Sequence, residues 1–302
     1  MNIVNDIMKL KRARDAVILA HNYQRPEIQD IADFVGDSLG LSIQASGTDA
    51  EVIVFCGVHF MAETAKILSP RKTVLLPDMD AGCPMADMIT ADQLRELKTH
   101  HPDATVVCYV NTTAEVKAES DICCTSANAV SIVTDLKKAN REILFVPDMY
   151  LGDFVAREAD CDLITWRGFC PSHARVLPDD ILIQQGLHPR ARVLAHPECT
   201  PEVRKLADRV MSTEGMCWLV HEMKEDEFIV ATEVGILHRM GKENPGKKFY
   251  PASELAVCPN MKRITLEKLH WALEGMHNEI TVSRETIARA KKSIQRMLVY
   301  RS

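Results

Sequence analysis

The stretch Val17-Ile18-Leu19-Ala20-His21-Asn22-Tyr23 carries a short apolar run straight into three polar side chains, and the chain makes that transition twice more. Val106-Val107-Cys108 leads into Tyr109-Val110-Asn111, and Val193-Leu194-Ala195 leads into His196-Pro197-Glu198. An apolar run of this length that stops on polar residues reads as a buried strand whose carboxyl end opens on a site. A Cys-Pro pair follows each opening, at 62 (21 to 83), 61 (109 to 170) and 62 (196 to 258) residues. Cys83-Pro84, Cys170-Pro171 and Cys258-Pro259 therefore stand 87 and 88 residues apart (83 to 170, 170 to 258). A fixed period of that length implies three copies of one small domain, each delivering a cysteine to the same relative place.

Outward from the openings, apolar runs alternate with segments of helical period, the pattern of βαβ units and a parallel sheet. Strands are expected at 16–20, 52–55, 73–76, 105–110, 143–146, 163–165, 192–195, 216–220 and 228–230. Helices are expected at 27–34, 62–67, 91–100, 127–139 and 201–209, with a long terminal pair over 265–297 folded back onto the first copy. The copies are bounded as 1–84 plus 263–302, 85–171 and 172–262. Leu76-Pro77-Asp78-Met79 and Val146-Pro147-Asp148-Met149 read as equivalent, with residues 150–168 interposed in the second copy and Tyr250-Pro251 as the remnant in the third. The alternative is one large α/β domain in which Pro-Asp simply marks strand ends.

Composition narrows the class. A net charge of −6 disfavours a nucleic-acid or anionic-membrane surface, so neither is expected as a partner. The first residues show helical spacing (Ile3, Ile7, Leu10) rather than a secretory core, and a cytoplasmic location is expected. Ten cysteines without a single C-x-x-C exclude zinc ribbons and thioredoxin-like motifs, so a cysteine metal site must be assembled from distant segments.

Three strand-end sets supply the candidate chemistry: His21 with Tyr23, Tyr109 with Asn111, and His196 with Glu198. Seventeen residues after each opening (21 to 38, 109 to 126, 196 to 213) stand Ser38, Ser126 and Thr213 at helix starts, the last preceded by Ser212. Helix starts offer free N–H groups to carboxylate or phosphate, so the ligand is read as small and multiply anionic. Each of these residues alone is more simply a cap or a surface group; the triple register favours one shared site. Cys56, Cys108, Cys123, Cys161 and Cys217 read as buried hydrophobes, and Cys124 and Cys199 stay unassigned. Cys83, Cys170 and Cys258 lie in polar loops, where three thiolates suit zinc or a [4Fe–4S] cluster with one open iron; spacing does not choose. Gly36-Asp37-Ser38-Leu39-Gly40 matches the nucleophile elbow of hydrolases, but helical spacing ahead of it argues against the strand that motif needs.

These segments, with Ile31-Ala32-Asp33-Phe34-Val35-Gly36-Asp37-Ser38, Cys123-Cys124-Thr125-Ser126-Ala127-Asn128, Gly168-Phe169-Cys170-Pro171-Ser172-His173, Ser212-Thr213-Glu214-Gly215-Met216 and Ala231-Thr232-Glu233, resemble the quinolinate synthase family over nearly the whole chain. The resemblance implies three similar three-layer αβα domains with parallel sheets in a pseudo-threefold arrangement around a central site. It implies that Cys83, Cys170 and Cys258 ligate a [4Fe–4S] cluster, and that iminoaspartate and dihydroxyacetone phosphate condense to quinolinate with loss of phosphate and two waters. An iminoaspartate-producing enzyme would then be the supplier. On the same footing, His21, Ser38, Tyr109, Val110, Asn111, Ser126, His196, Pro197, Glu198, Ser212 and Thr213 bind the substrates, while Glu198, Tyr23, Tyr109 and His173 are the catalytic candidates. The rival reading is another cluster-dependent hydro-lyase acting on a small hydroxy acid.

Overall fold

Three four-stranded sheets, all parallel, repeat one topology along the chain. A computed structural model describes residues 3–139 and 141–300. The first lobe runs α1 (Ile3–Ala13), β1 (Ala16–His21), α2 (Pro26–Gln29), β2 (Phe34–Gly36), α3 (Ser38–Gly47), β3 (Val52–Cys56), α4 (His59–Leu68) and β4 (Thr73–Leu75). The second runs α5 (Ala91–His100), β5 (Thr105–Tyr109), α6 (Ala114–Ala118), β6 (Ile122–Cys124), α7 (Ala129–Lys137), β7 (Ile143–Val146), α8 (Met149–Glu158) and β8 (Ile164–Thr165). The third runs α9 (Pro178–Leu187), β9 (Arg192–Ala195), α10 (Pro201–Lys205), β10 (Arg209–Val210), α11 (Thr213–Glu222), β11 (Glu227–Ala231), α12 (Ile236–Glu243) and β12 (Lys248–Pro251). Two further helices, α13 (Leu266–Gly275) and α14 (Arg284–Met297), close the described chain. The strand orders are β2-β1-β3-β4, β6-β5-β7-β8 and β10-β9-β11-β12.

Helices cover the sheets, so the central strands read as continuous Val, Ile, Leu and Phe with almost no exposure. In each sheet the chain leaves the first strand to one side and returns on the other. The switch point falls between the first and third strands, where the order reverses.

The repetition extends to single hydrogen bonds. Asp33 accepts from the backbone N–H of Ile18 at 2.8 Å, Asp121 from Val106 at 2.8 Å, and Asp208 from Val193 at 2.7 Å. Each aspartate also donates its own N–H to the carbonyl of the same strand residue. This clasp ends the preceding short helix and starts the edge strand.

Several expectations change. The helix expected over 27–34 stops at Gln29, because Asp33 is tied to β1 and Phe34 already belongs to β2. Met216–Val220 is not a strand but the interior of α11, its apolar residues facing the core at helical spacing. The edge strands β2, β6, β10 and β12 escape sequence reading, being only two to four residues long, too short to show a period. The two Pro-Asp-Met motifs are not equivalent: Pro77 follows β4, the fourth strand of its sheet, whereas Pro147 follows β7, a third strand. Residues 150–168 are accordingly no insertion; they hold most of α8 and β8, the counterparts of α4 and β4. Of the terminal helices, α13 packs on α1, but α14 lies chiefly against α6 and β6 of the second lobe and also touches α4. Cys161 is half-buried in the turn after α8 rather than a core residue, while Cys124 and Cys199 are fully buried. Among the described residues no helix is long and apolar enough to cross a membrane.

Candidate active site

The switch points of all three lobes face one cavity of about 70 Å³. On a scale where a single water needs about 10–15 Å³, that holds several waters or a small organic molecule. His21 and Tyr23 reach it from the end of β1, Tyr109 and Asn111 from β5, and His196 and Glu198 from β9. Ser38, Ser126 and Thr213 line it from the second connection of each lobe, and Cys83, Cys170, Cys258 and His173 from the loops after the fourth strands. Val110, Pro197 and Ser212 are buried but are not on its wall. Ser212 instead caps α11 by accepting from Gly215 N at 3.2 Å. Asp37 does the same for α3, so the hydroxyls of Ser38 and Thr213 are not consumed by capping.

The cysteine loops share a local design. Each cysteine is followed three residues later by a short 3-10 turn, at Ala86–Met88, His173–Arg175 and Met261–Arg263. Backbone N–H groups of Met85 and Ala86 thereby face Cys83, that of His173 faces Cys170, and those of Asn260 and Met261 face Cys258. Such donors stabilise a thiolate. Without a cation, burial wins and pushes the Cys83 thiol up to about 12 and the other two upward as well. Three inward sulfurs, no fourth cysteine on the wall among the described residues, and N–H donors at each fit a cubane cluster with one open iron. Cys170, His173 and Glu198 by themselves bring ligand atoms within 4.8 Å of one another, a spacing suited to one ion, but that arrangement leaves Cys83 and Cys258 unused.

A hydrogen-bonded line crosses the site from one lobe to the next. Tyr23 Oη lies 2.6 Å from Thr232 Oγ1, and Thr232 Oγ1 lies 2.8 Å from His173 Nε2. His173 Nδ1 sits 2.8 Å from Glu198 Oε2 and 3.1 Å from Cys170 Sγ, and Tyr109 donates its phenol to Glu198 Oε1. Burial opposes charge on Glu198, yet His173, helped by His196 and Tyr109, holds its carboxyl far below the usual range. Burial first, then the Glu198 charge, keep Tyr23 and Tyr109 protonated well beyond ordinary phenols.

His21 and His196 are built alike. Each Nδ1 accepts a backbone N–H two residues on, from Tyr23 at 3.1 Å and from Glu198 at 3.3 Å. That fixes the tautomer with the proton on Nε2. Burial lowers both imidazoles to about 3, so they are neutral donors. His196 Nε2 reaches Ser126 Oγ at 3.2 Å across a lobe boundary. Asn111 Oδ1 is buried with no partner among the described residues, an acceptor pointing to a ligand N–H or O–H.

Sequence reading missed Thr232, Glu233 and Lys262. Thr232 and Glu233 stand at the end of β11, the second strand of the third switch point, and Ala231-Thr232-Glu233 after an apolar run was the available signal. Glu233 lines the cavity and pairs with Lys262 at 2.9 Å. The strand that a nucleophile elbow needs is present after all, because β2 runs directly into Asp37-Ser38. No imidazole is bonded to Ser38 Oγ among the described residues, which leaves the motif without its base.

The family model described as NadA, quinolinate synthetase A protein, matches residues 5–299. The chain is 57% identical over 296 residues to a quinolinate synthase of Dehalococcoides mccartyi (strain ATCC BAA-2100 / JCM 16839 / KCTC 5957 / BAV1), covering 98% of this chain and 97% of that one. It is 56% identical over 296 residues to the quinolinate synthase of Desulforudis audaxviator, with 98% and 97% covered. Against the quinolinate synthase of Methanoregula boonei the identity is 54% over 293 residues, with 97% and 96% covered.

Proposed function

Because the chain belongs to the quinolinate synthetase A family, we propose that it condenses iminoaspartate with dihydroxyacetone phosphate to quinolinate, releasing phosphate and two waters. The observation that carries this reading is the cavity in which three inward cysteines meet the line Tyr23–Thr232–His173–Glu198–Tyr109. Cys83, Cys170 and Cys258 would hold a [4Fe–4S] cluster, which when bound supplies Lewis acidity toward a hydroxyl or carboxylate oxygen of the reacting molecule.

The residues divide the remaining work. Neutral Nε2–H donors on His21 and His196, with the hydroxyls of Ser38, Ser126 and Thr213, suit carboxylates and phosphate without requiring a buried positive charge. Asn111 Oδ1 suits the imine or amine N–H. Tautomerisation and water loss both move protons, and Glu198, held ionised, is the base that starts them. His173 keeps that carboxylate ionised and oriented through Nδ1, and Thr232 couples its Nε2 to Tyr23, whose phenol, held protonated, is placed to supply a proton to a leaving hydroxyl. Tyr109 steadies the carboxylate between transfers.

The test is an anaerobic assay of the iron-loaded protein with both substrates and with each omitted. Quinolinate formed only with both present is the expected result. Turnover of a hydroxy acid without the triose phosphate would replace this reading with the hydro-lyase. A cytoplasmic location and supply by an iminoaspartate-producing enzyme belong to the same proposal.

A further inference from the structure

Asn22 lies between the two catalytic-motif residues His21 and Tyr23 but is fully buried and off the cavity wall. Its amide spans the boundary between the first and third lobes. Arg239 Nη1 donates to Asn22 Oδ1 at 3.0 Å, and Asn22 Nδ2 donates to Thr213 Oγ1 at 3.0 Å. Arg239 is itself fixed by a two-pronged pair with Glu214 at 2.7 and 2.9 Å and by Glu243 at 2.8 Å.

The orientation of that amide follows from donor chemistry. A guanidinium can only donate, so the atom facing Arg239 must be the oxygen and the NH₂ must face Thr213. Thr213 Oγ1 then accepts, and its own proton is left to point elsewhere. Thr213 is 3% exposed and lines the cavity, where no other partner for that proton is found among the described residues. We infer that Asn22 is a positioning residue that turns Thr213 into an obligatory donor toward an oxyanion in the cavity. The oxyanion is a carboxylate or a phosphate, and the inference rests on the anion-binding part of the function proposed above.

The experiment compares wild type, Asn22→Asp, Thr213→Val and the double variant, measuring binding of quinolinate and of inorganic phosphate by calorimetry on the cluster-loaded protein. An aspartate keeps the Arg239 contact but can only accept from Thr213, which withdraws the hydroxyl proton from the cavity. Each single variant should weaken one of the two anions roughly ten- to a hundredfold, the range of a hydrogen bond to a charged group. The double variant should be no weaker than Asn22→Asp, and the anion affected identifies the source of the oxyanion. In turnover the loss should fall on KM. Additive losses would mean that the new charge acts on its own, which overturns the inference, as does wild-type affinity in Asn22→Asp. Should Asn22→Asp not fold, Asn22→Ala with Thr213→Val forms the same cycle, and additive losses or wild-type affinity there overturn the inference equally. A wild type that binds neither anion sinks the functional reading and this inference together.

Discussion

Glu233 accepts the backbone N–H of Cys258 at 3.0 Å, so a buried carboxylate anchors the loop that aims the third cysteine. The same carboxylate accepts from Gly235 N at 2.7 Å and pairs with Lys262, whose Nζ also donates to Tyr23 O. Removing that carboxylate leaves the half-buried Lys262 without its counter-ion and the N–H groups of Cys258 and Gly235 without their acceptor. Glu233→Ala should cost about 2–5 kcal/mol of stability, at about 1–3 kcal/mol for each orphaned group, and lower iron per protein. Gly235→Ala should disturb the same loop by crowding the ion pair rather than by deleting one of its charges. Its Cβ would meet Lys262 Nζ at 2.6 Å, Glu233 Oε2 at 2.8 Å and the Tyr23 carbonyl at 2.8 Å. Denaturant melts and iron analysis on both variants check this.

Cys83→Ala should abolish the visible absorbance of the cluster and turnover together. Cys56→Ala should retain both, because Cys56 ends β3 inside the core and is not on the cavity wall. Anaerobic absorption spectra with sulfide counts decide, and equal loss in the two variants would undo the assignment.

Thr232→Val should reduce kcat by roughly 10²–10⁴, the usual worth of positioned acid–base catalysis, with cluster content intact. Thr232→Ser restores the hydroxyl between Tyr23 and His173 and should recover most of the rate. A fully active Thr232→Val variant would remove Thr232 from the proton route.

The buried imidazoles predict how stability follows pH. His21 and His196 are lowered to about 3 in the fold, chiefly by burial, against an ordinary value of 6.5. Their contribution is present above about pH 6.5 and is lost as pH falls toward 3, because the unfolded chain takes up protons the fold refuses. At about 1.4 kcal/mol per pKa unit the two together amount to several kcal/mol. His196→Gln should flatten that acid limb in melts across pH 4 to 7.

Asp37 has the opposite sign. Burial raises its carboxyl to about 6 from 3.8, so its stabilising share is present below about pH 4 and lost as pH rises through 6. Asp37→Asn keeps a good helix cap. It should gain about 1–3 kcal/mol at pH 7 and nothing at pH 4.

Much of the fold is legible as repetition. The openings and Cys-Pro pairs locate the three lobes because a buried strand and a ligand loop both tolerate few residue types. The clasp of Asp33, Asp121 and Asp208 shares that period but is hidden, since an aspartate before a short edge strand looks like any loop residue. The Pro-Asp-Met match misled for the converse reason: proline followed by a capping aspartate serves any strand end, third or fourth alike.

By itself, the order of residues determined three parallel sheets, the three inward cysteines and the strand-end polar sets, because each depends on local periodicity or on a chemistry that few side chains supply. Only the tertiary structure decided which groups touch: Tyr109 with Glu198, Asn22 with Thr213, and Thr232 between Tyr23 and His173. Those pairs join residues 89, 191, 209 and 59 positions apart. No local preference encodes such a contact; it exists because three lobes close around one cavity, and burial there obliges every polar group to find a partner.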